Sequence, residues 1–222
     1  MYKRQSFARE KGYFDGVNKD FSFANAYAPL DFGARRYCEA RVWSYFNMFT
    51  ARGNEFLPYI LGDTDTPMPL FVKPDRKISV QDVKNAMRDH YEGTPLDISK
   101  DFGAGPYHTP YRLSPLSFKV GDKEYFNERP ISTQQSGFVF VAQMRSTLPD
   151  AIGGVLWFGT DDANMTVFTP VYCCTDKVPV CYSRVDGADY ITFSWNSSFW
   201  IFNWVSNMVY PRYDLMIGDV RA

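Results

Sequence analysis

Apolar positions recur at helical spacing between residues 35 and 51. They stand four, four and three positions apart, so they share one face of a helix, and Trp43 lies beside them. This stripe consists of Cys38, Val42, Phe46 and Phe49. Gly53 follows as a stop. The pattern therefore predicts a helix over 35–51 with one buried side.

A second helix is predicted to begin at Ser79. Ser79 and Asp82 stand at the spacing of a capping box, with Asp in place of the usual Glu. The helix is expected to run to about Tyr91, because Gly93 and Pro95 then end it. His90 would lie at its C-terminus, where a cation interacts favourably with the helix dipole.

Strand patterns dominate from Ser117 onward. Two short runs around the adjacent Gly121 and Asp122 predict a hairpin over 118–126. Further strands are predicted over 137–145, 153–158 and 166–172, and consecutive strands are expected to pair antiparallel. Residues 137–145 are apolar on both faces until their end, so both faces should be covered.

The last predicted element is a helix over 197–210 that Pro211 ends. It is apolar nearly all round, apart from one polar stripe of Asn203, Ser206 and Asn207, so it should be buried against one face of the sheet. Residues 1–34 show no clear period. Residues 93–116 form a long loop rich in glycine and proline, and such loops tend to be functional.

Composition and charge exclude several classes of protein. The net charge is -1 with no run of basic residues, so we expect no nucleic-acid partner. No apolar stretch approaches the roughly 20 residues that span a bilayer, so we expect no membrane partner. The aromatic share of 18% indicates either a well-packed core or an aromatic-lined cleft. We expect a soluble protein, which is either cytoplasmic or exported if a precursor carried a signal.

Physical reading alone identifies no reaction. The usual nucleophile, phosphate-loop and zinc-protease motifs are absent. The four cysteines lack CxxC spacing and a nearby histidine, so we expect no metal site and no cofactor. Asp161 and Asp162 could bind a metal, but a double aspartate in a turn is more often solvated. The residues predict a mixed α/β domain with a covered sheet.

Several longer runs resemble PepD-type bacterial cysteine dipeptidases. The similarity covers roughly residues 30–220, and the runs are specific only when taken together. They are 71–80 (FVKPDRKISV), 87–97 (MRDHYEGTPLD), 101–106 (DFGAGP), 110–112 (PYR), 127–135 (NERPISTQQ), 143–145 (QMR), 148–150 (LPD), 153–159 (GGVLWFG), 161–163 (DDA) and 199–203 (FWIFN).

This resemblance implies an α+β fold of the N-terminal-nucleophile hydrolase superfamily, whose members include penicillin V acylase and bile salt hydrolase. The implied architecture is an αββα sandwich with mainly antiparallel sheets, only partly present here. Residues 1–222 would form a single domain that is part of a larger hydrolase domain. The missing remainder of the chain would be its partner, and surface left exposed around residues 13–32 would favour a homo-oligomer.

The implied activity is hydrolysis of dipeptides by an N-terminal cysteine, whose free α-amine serves as general base. Residues 1 and 2 are Met and Tyr, so that nucleophile is expected to be absent from this chain, and the chain alone is expected to be inactive. Two alternatives stay open: an acylase acting on non-peptide amides, of the penicillin or bile salt type, and a catalytically inactive binding module.

Three residues are candidates for supporting catalytic roles. Related hydrolases use an arginine near the nucleophile. Arg145 ends a buried strand on the same face as Gln143, and a buried arginine needs partners. Arg129, beside Asn127, is the competing candidate. The alternative for Arg145 is a structural ion pair.

Overall fold

A computed structural model describes residues 2–112 and 117–222. Part of the predicted 93–116 loop, residues 113–116, therefore lies outside the described residues. Within the described part, no helix combines the length and the apolar character that crossing a bilayer requires. The α-helices are α1 (Tyr2–Glu10), α2 (Phe23–Tyr27), α3 (Phe32–Ala34), α4 (Ala40–Phe49), α5 (Leu57–Leu61), α6 (Val80–Ala86), α7 (Asp150–Gly153), α8 (Ser198–Val209) and α9 (Tyr213–Arg221).

The predicted helix over 35–51 is confirmed. A π-helical segment over Arg35–Glu39 joins α3 to α4, so the chain is helical from Phe32 to Phe49. Trp43 is fully buried, and its indole Nε1 donates a hydrogen bond to the carbonyl oxygen of Gly53 at 3.0 Å. The preceding residues 1–34 are more regular than their pattern predicts, since they contain α1 and α2.

The predicted start of the second helix is confirmed, but its predicted end is wrong. Ser79 caps α6, and the reciprocal capping box with Asp82 is present. The helix ends at Ala86, before the predicted Tyr91. The chain then turns inward, and Tyr91 adopts a left-handed φ of 66° with its ring fully buried. Burial of this ring in the core therefore outweighs the local signal to continue the helix.

Five strands of the described part form two antiparallel sheets, which confirms the predicted sequential pairing. The hairpin of β1 (Ser117–Val120) and β2 (Lys123–Phe126) turns at Gly121, whose φ of +60° suits a glycine. The second sheet has the order β3 (Phe138–Met144), β4 (Gly154–Thr160), β5 (Thr169–Tyr172). Its register pairs Val141 with Trp157 and Phe140 with Phe158.

Only one face of the larger sheet is covered, so the expectation of two covered faces for 137–145 is wrong for the described residues. Val139 and Val141 are buried, whereas Phe138 and Phe140 are 61% and 50% exposed. β3 is also an edge strand. Apolar residues on both faces of a strand allow both faces to be buried, but they do not ensure it. Here the described residues cover only one face of β3.

Helix α6, rather than the helix predicted over 197–210, packs on the buried face. Lys84 Nζ lies 3.6 Å from the ring centroid of Trp157. Helix α8 instead meets the end of β4, where Ser198 Oγ lies 2.7 Å from Thr160 Oγ1. It is not buried all round, because Trp204 is 50% exposed.

Two apolar clusters form the interior of residues 2–112 and 117–222. The first joins α4, α5 and the segment after α6, and the second joins α8 and α9 to the turn after β4. Their buried members are Ala40, Trp43, Tyr59, Ile60, Tyr91, Leu96 and Ile98 in the first, and Met165, Val209, Tyr210 and Tyr213 in the second. His90 contacts Tyr213 with ring centroids 6.3 Å apart, so residues 89–92 lie between the clusters.

Candidate functional site

The predicted candidates Asn127 and Arg129 follow the hairpin and are half-buried. The side chain of Arg129 lines a small cleft, and its backbone carbonyl accepts a hydrogen bond from the Tyr91 hydroxyl at 2.6 Å. Glu128, between them, pairs with Arg36 at 3.0 Å. This segment therefore holds the hairpin to the first apolar cluster.

Arg145 lies elsewhere, beside α7. Its Nε donates to the carbonyl oxygen of Gly153 at 3.4 Å, and one terminal nitrogen donates to that of Ile152 at 2.6 Å. These bonds satisfy the last carbonyls of a helix. The cleft lined by Arg129 does not include Arg145. Arg145 thus contacts α7, whereas Asn127 and Arg129 share one segment after the hairpin, and the catalytic roles of all three stay predictions.

The double aspartate after β4 is buried, so the prediction of a solvated turn is wrong. Asp161 is 2% exposed and Asp162 is 0% exposed. Asp161 accepts hydrogen bonds from Ser206 Oγ at 2.7 Å and from Asn203 Nδ2 at 3.2 Å. Asn203 and Ser206, two residues of the polar stripe predicted for the helix over 197–210, therefore bind Asp161. The turn residues around Asp161 do not indicate this distant partner.

Asp162 binds groups from distant parts of the chain. Ser132 Oγ donates to its carboxylate at 2.5 Å, and the Tyr210 hydroxyl makes a short hydrogen bond to it. The backbone N–H of Asn164, two residues along the chain, donates to it at 3.0 Å. A buried carboxylate costs free energy unless such donors surround it. Burial and the nearby Asp162 charge raise the pKa of Tyr210, which keeps its hydroxyl protonated as a donor.

Residues 89–92 form a second polar segment, which lies between the two apolar clusters. The expectation of a helix-terminal His90 is wrong: the ring is fully buried beyond the helix, with Nδ1 3.1 Å from Glu92 Oε1. Its Nε2 has no hydrogen-bond partner among the described residues. Asp89 accepts a bond from Ser44 Oγ at 2.6 Å.

The two carboxyl groups of this segment have opposite pKa shifts. Burial raises the pKa of Asp89 to about 6, although the Ser44 hydroxyl bond works against the shift. For Glu92, burial raises the pKa, but hydrogen bonds and charge from His90 outweigh it, so the net direction is downward. At neutral pH both carboxyl groups are therefore mainly ionised, and Asp89 is the one that gains its proton first as the pH falls.

A polar cavity of about 580 Å³ opens between α6 and α9. Its lining combines four charged groups with polar and apolar side chains, and it contains no cysteine. The lining residues are Gln81, Asn85, Arg88, Asp89, Glu92, Asn164, Met165, Thr166, Val167, Val220 and Arg221. Among the described residues, no group of three or more His, Cys, Asp and Glu could hold a metal ion.

The sequence patterns do not predict that the residues of this cavity form a site. Arg88, Asp89 and Glu92 all fall within the run 87–97 that carries part of the resemblance, and that run was the available signal. No sequence pattern marks Arg221 as a site residue. It becomes part of the cavity only because α9 folds back, so that its guanidinium donates to Asn164 Oδ1 at 2.6 Å.

The described structure is thus an α+β chain with a polar cavity of small-molecule size. A sequence model of Peptidase family C69 matches residues 3–222. A probable dipeptidase of Salmonella dublin is 31% identical over 167 residues, which are 75% of this chain and 33% of that protein. Probable dipeptidase B of Lactococcus lactis subsp. lactis (strain IL1403) is 24% identical over 210 residues, 94% of this chain and 38% of that protein.

Dipeptidase A of Lactobacillus helveticus is 26% identical over 167 residues, which are 74% of this chain and 29% of that protein. The chain belongs to peptidase family C69. It spans about a third of the length of these curated relatives.

Proposed function

We propose that this chain forms part of a cysteine-type dipeptidase. The observation that carries the proposal is the family match over residues 3–222, and relatives described as dipeptidases support it. The run 87–97 contributes Asp89 and Glu92 to the lining of the polar cavity, and the run 161–163 contributes two buried aspartates.

The proposed reaction is acyl transfer followed by hydrolysis. A cysteine thiol gives its proton to its own free α-amine, and the sulfur attacks the peptide carbonyl carbon. The C–N bond breaks, the amine takes a proton and leaves, and an acyl-enzyme remains. Water then adds to the acyl carbon, which releases the second amino acid and restores the thiol. The four cysteines within 1–222 have their nitrogens in peptide bonds, so the nucleophile is proposed to lie on other residues of the full-length protein.

The open face of the larger sheet supports the proposed αββα sandwich. Phe138 stacks on Phe140 and Phe158, with centroids 6.4 and 6.1 Å away, and forms an exposed aromatic surface. A second sheet packed about 10 Å away would bury this surface in such an architecture. The sheet that is described thus has the one covered face and one apolar face that a sandwich half requires.

A substrate panel on the full-length protein tests the function. The panel contains dipeptides, a tripeptide, an N-acetylated dipeptide, penicillin V and a glycine-conjugated bile acid, with product amines measured. We expect turnover of dipeptides and its loss when thiols are alkylated. Turnover confined to penicillin V or the bile acid would instead identify an acylase. Binding without any turnover would identify an inactive binding module.

A further inference from the structure

The cavity between α6 and α9 holds two guanidinium groups that lack a carboxylate partner. Arg88 donates from Nε to the carbonyl oxygen of Ala163 at 3.0 Å, and from one terminal nitrogen to that of Thr166 at 3.2 Å. Arg221 donates to Asn164 Oδ1 at 2.6 Å and to the Tyr213 hydroxyl at 3.3 Å. Within residues 2–112 and 117–222, neither guanidinium lies within 4.0 Å of a carboxylate oxygen.

The two guanidiniums are neighbours because they bind different residues of one short segment, 163–166: Arg88 binds Ala163 and Thr166, and Arg221 binds Asn164. Burial, and then the charge of Arg221, lower the pKa of Arg88. Holding two like charges together in a partly buried place is unfavourable unless an anion offsets them. Each group also keeps at least one nitrogen without a described protein partner, and a planar guanidinium binds carboxylates well.

The same cavity also contains negatively charged groups. Asp89 and Glu92 line it, and Met165, Val167 and Val220 supply apolar surface. A ligand that matches all three features has an anionic group, a cationic group and a small apolar part. The volume of about 580 Å³ also lies within the ~300–1,000 Å³ typical of small-molecule sites.

We propose that this cavity binds a dipeptide, with its α-carboxylate on Arg88 and Arg221 and its ammonium group toward Asp89 and Glu92. The choice of a dipeptide over other zwitterions rests on the proposed function. The arginine pair would thereby select substrates with a free C-terminal carboxylate. Arg88 and Arg221 are binding residues in this proposal, and neither takes part in bond breaking.

Calorimetric binding to the full-length protein, with its thiols alkylated to prevent turnover, tests the proposal. The probes are L-alanyl-L-alanine, its C-terminal amide and free L-alanine. The wild type should bind the dipeptide acid more tightly than the amide. Arg221→Gln should weaken binding of the acid by roughly tenfold to a hundredfold, as expected for loss of a charge-assisted contact, and leave the amide unchanged.

Two variants separate this result from misfolding. Arg221→Lys keeps the charge without the planar fork and should show an intermediate loss of affinity. Arg212→Gln removes an exposed arginine outside the cavity and should bind like the wild type. Equal binding of acid and amide, or an Arg221→Gln variant with wild-type affinity, would overturn the proposal. So would free L-alanine binding as tightly as the dipeptide.

The inference and the proposed function can fail separately. Dipeptide turnover that is independent of Arg88 and Arg221 would uphold the function and overturn the cavity as its substrate site. Arginine-dependent dipeptide binding, with no turnover in the unmodified enzyme, would uphold the cavity and overturn the function.

Discussion

Asp89 gives the clearest pH dependence at the residue scale. Its pKa rises from 3.8 to about 6 on folding, because burial disfavours the carboxylate. The folded state thus binds this proton more tightly than the unfolded chain does. The stabilising contribution is complete below about pH 4 and is lost as the pH rises through about 6, and it amounts to about 3 kcal/mol.

Asp89→Asn should remove this dependence. Comparing urea unfolding of the wild type and the variant between about pH 4 and pH 8 should show the wild type losing up to about 3 kcal/mol relative to Asn. Ser44→Ala is the directional control, since it removes a bond that favours the ionised form, and it should move the midpoint to higher pH. A parallel pH response in wild type and Asp89→Asn would contradict the assignment.

The hydrogen-bond partners of individual buried side chains are the part of the structure that the sequence predicts least well. Asp162 receives its hydrogen bonds from Ser132 and Tyr210, which are 30 and 48 positions away. Local turn statistics contain no information about such partners, so they predict a solvated pair. Arg221 is similar, because its partner Asn164 is 57 positions away.

At the scale of elements, local patterns were more informative. The helix over 35–51, the Ser79 cap and the Gly121 turn each follow from residues within a few positions of one another. The errors arise where a distant element decides the outcome. Burial of Tyr91 in the first apolar cluster ends α6 early, and α6 takes the place on the sheet that the pattern suggested for α8.

The two faces of β3 should respond differently to the same replacement. Val141→Thr places a hydroxyl in a buried position and should cost about 1–3 kcal/mol of unfolding free energy. Phe138→Thr changes a residue that is 61% exposed and keeps a strand-favouring side chain, so it should cost less than about 1 kcal/mol.

Urea unfolding of the 222-residue chain measures this difference, with far-UV circular dichroism as the check on folding. Equal losses at the two positions would show that the Phe138 face is covered in solution. The same pair measured in the full-length protein reports on the proposed sandwich, because a second sheet would make Phe138→Thr the more costly change.

At the scale of the whole molecule, the proposed chemistry makes a prediction about the polypeptide 1–222. It requires a thiol and a free α-amine on one residue, and each of the four cysteines here is internal. We therefore expect the polypeptide 1–222, expressed by itself, to leave dipeptides intact. The assay incubates it with the dipeptide panel beside the full-length protein. Turnover by 1–222 that survives thiol alkylation would contradict the proposed mechanism.

The hydrogen bonds of Asp162 also bear on the order in which the molecule assembles. Ser132 and Tyr210 reach its carboxylate only after long loops close, and loop closure is an entropic cost that must be met before such contacts form. We therefore expect helices α8 and α9 to dock late, after the local helices and the hairpin have formed. Because Arg221 lies on α9, the cavity would become complete in that same step, so we expect the proposed binding to require the docking of the last two helices.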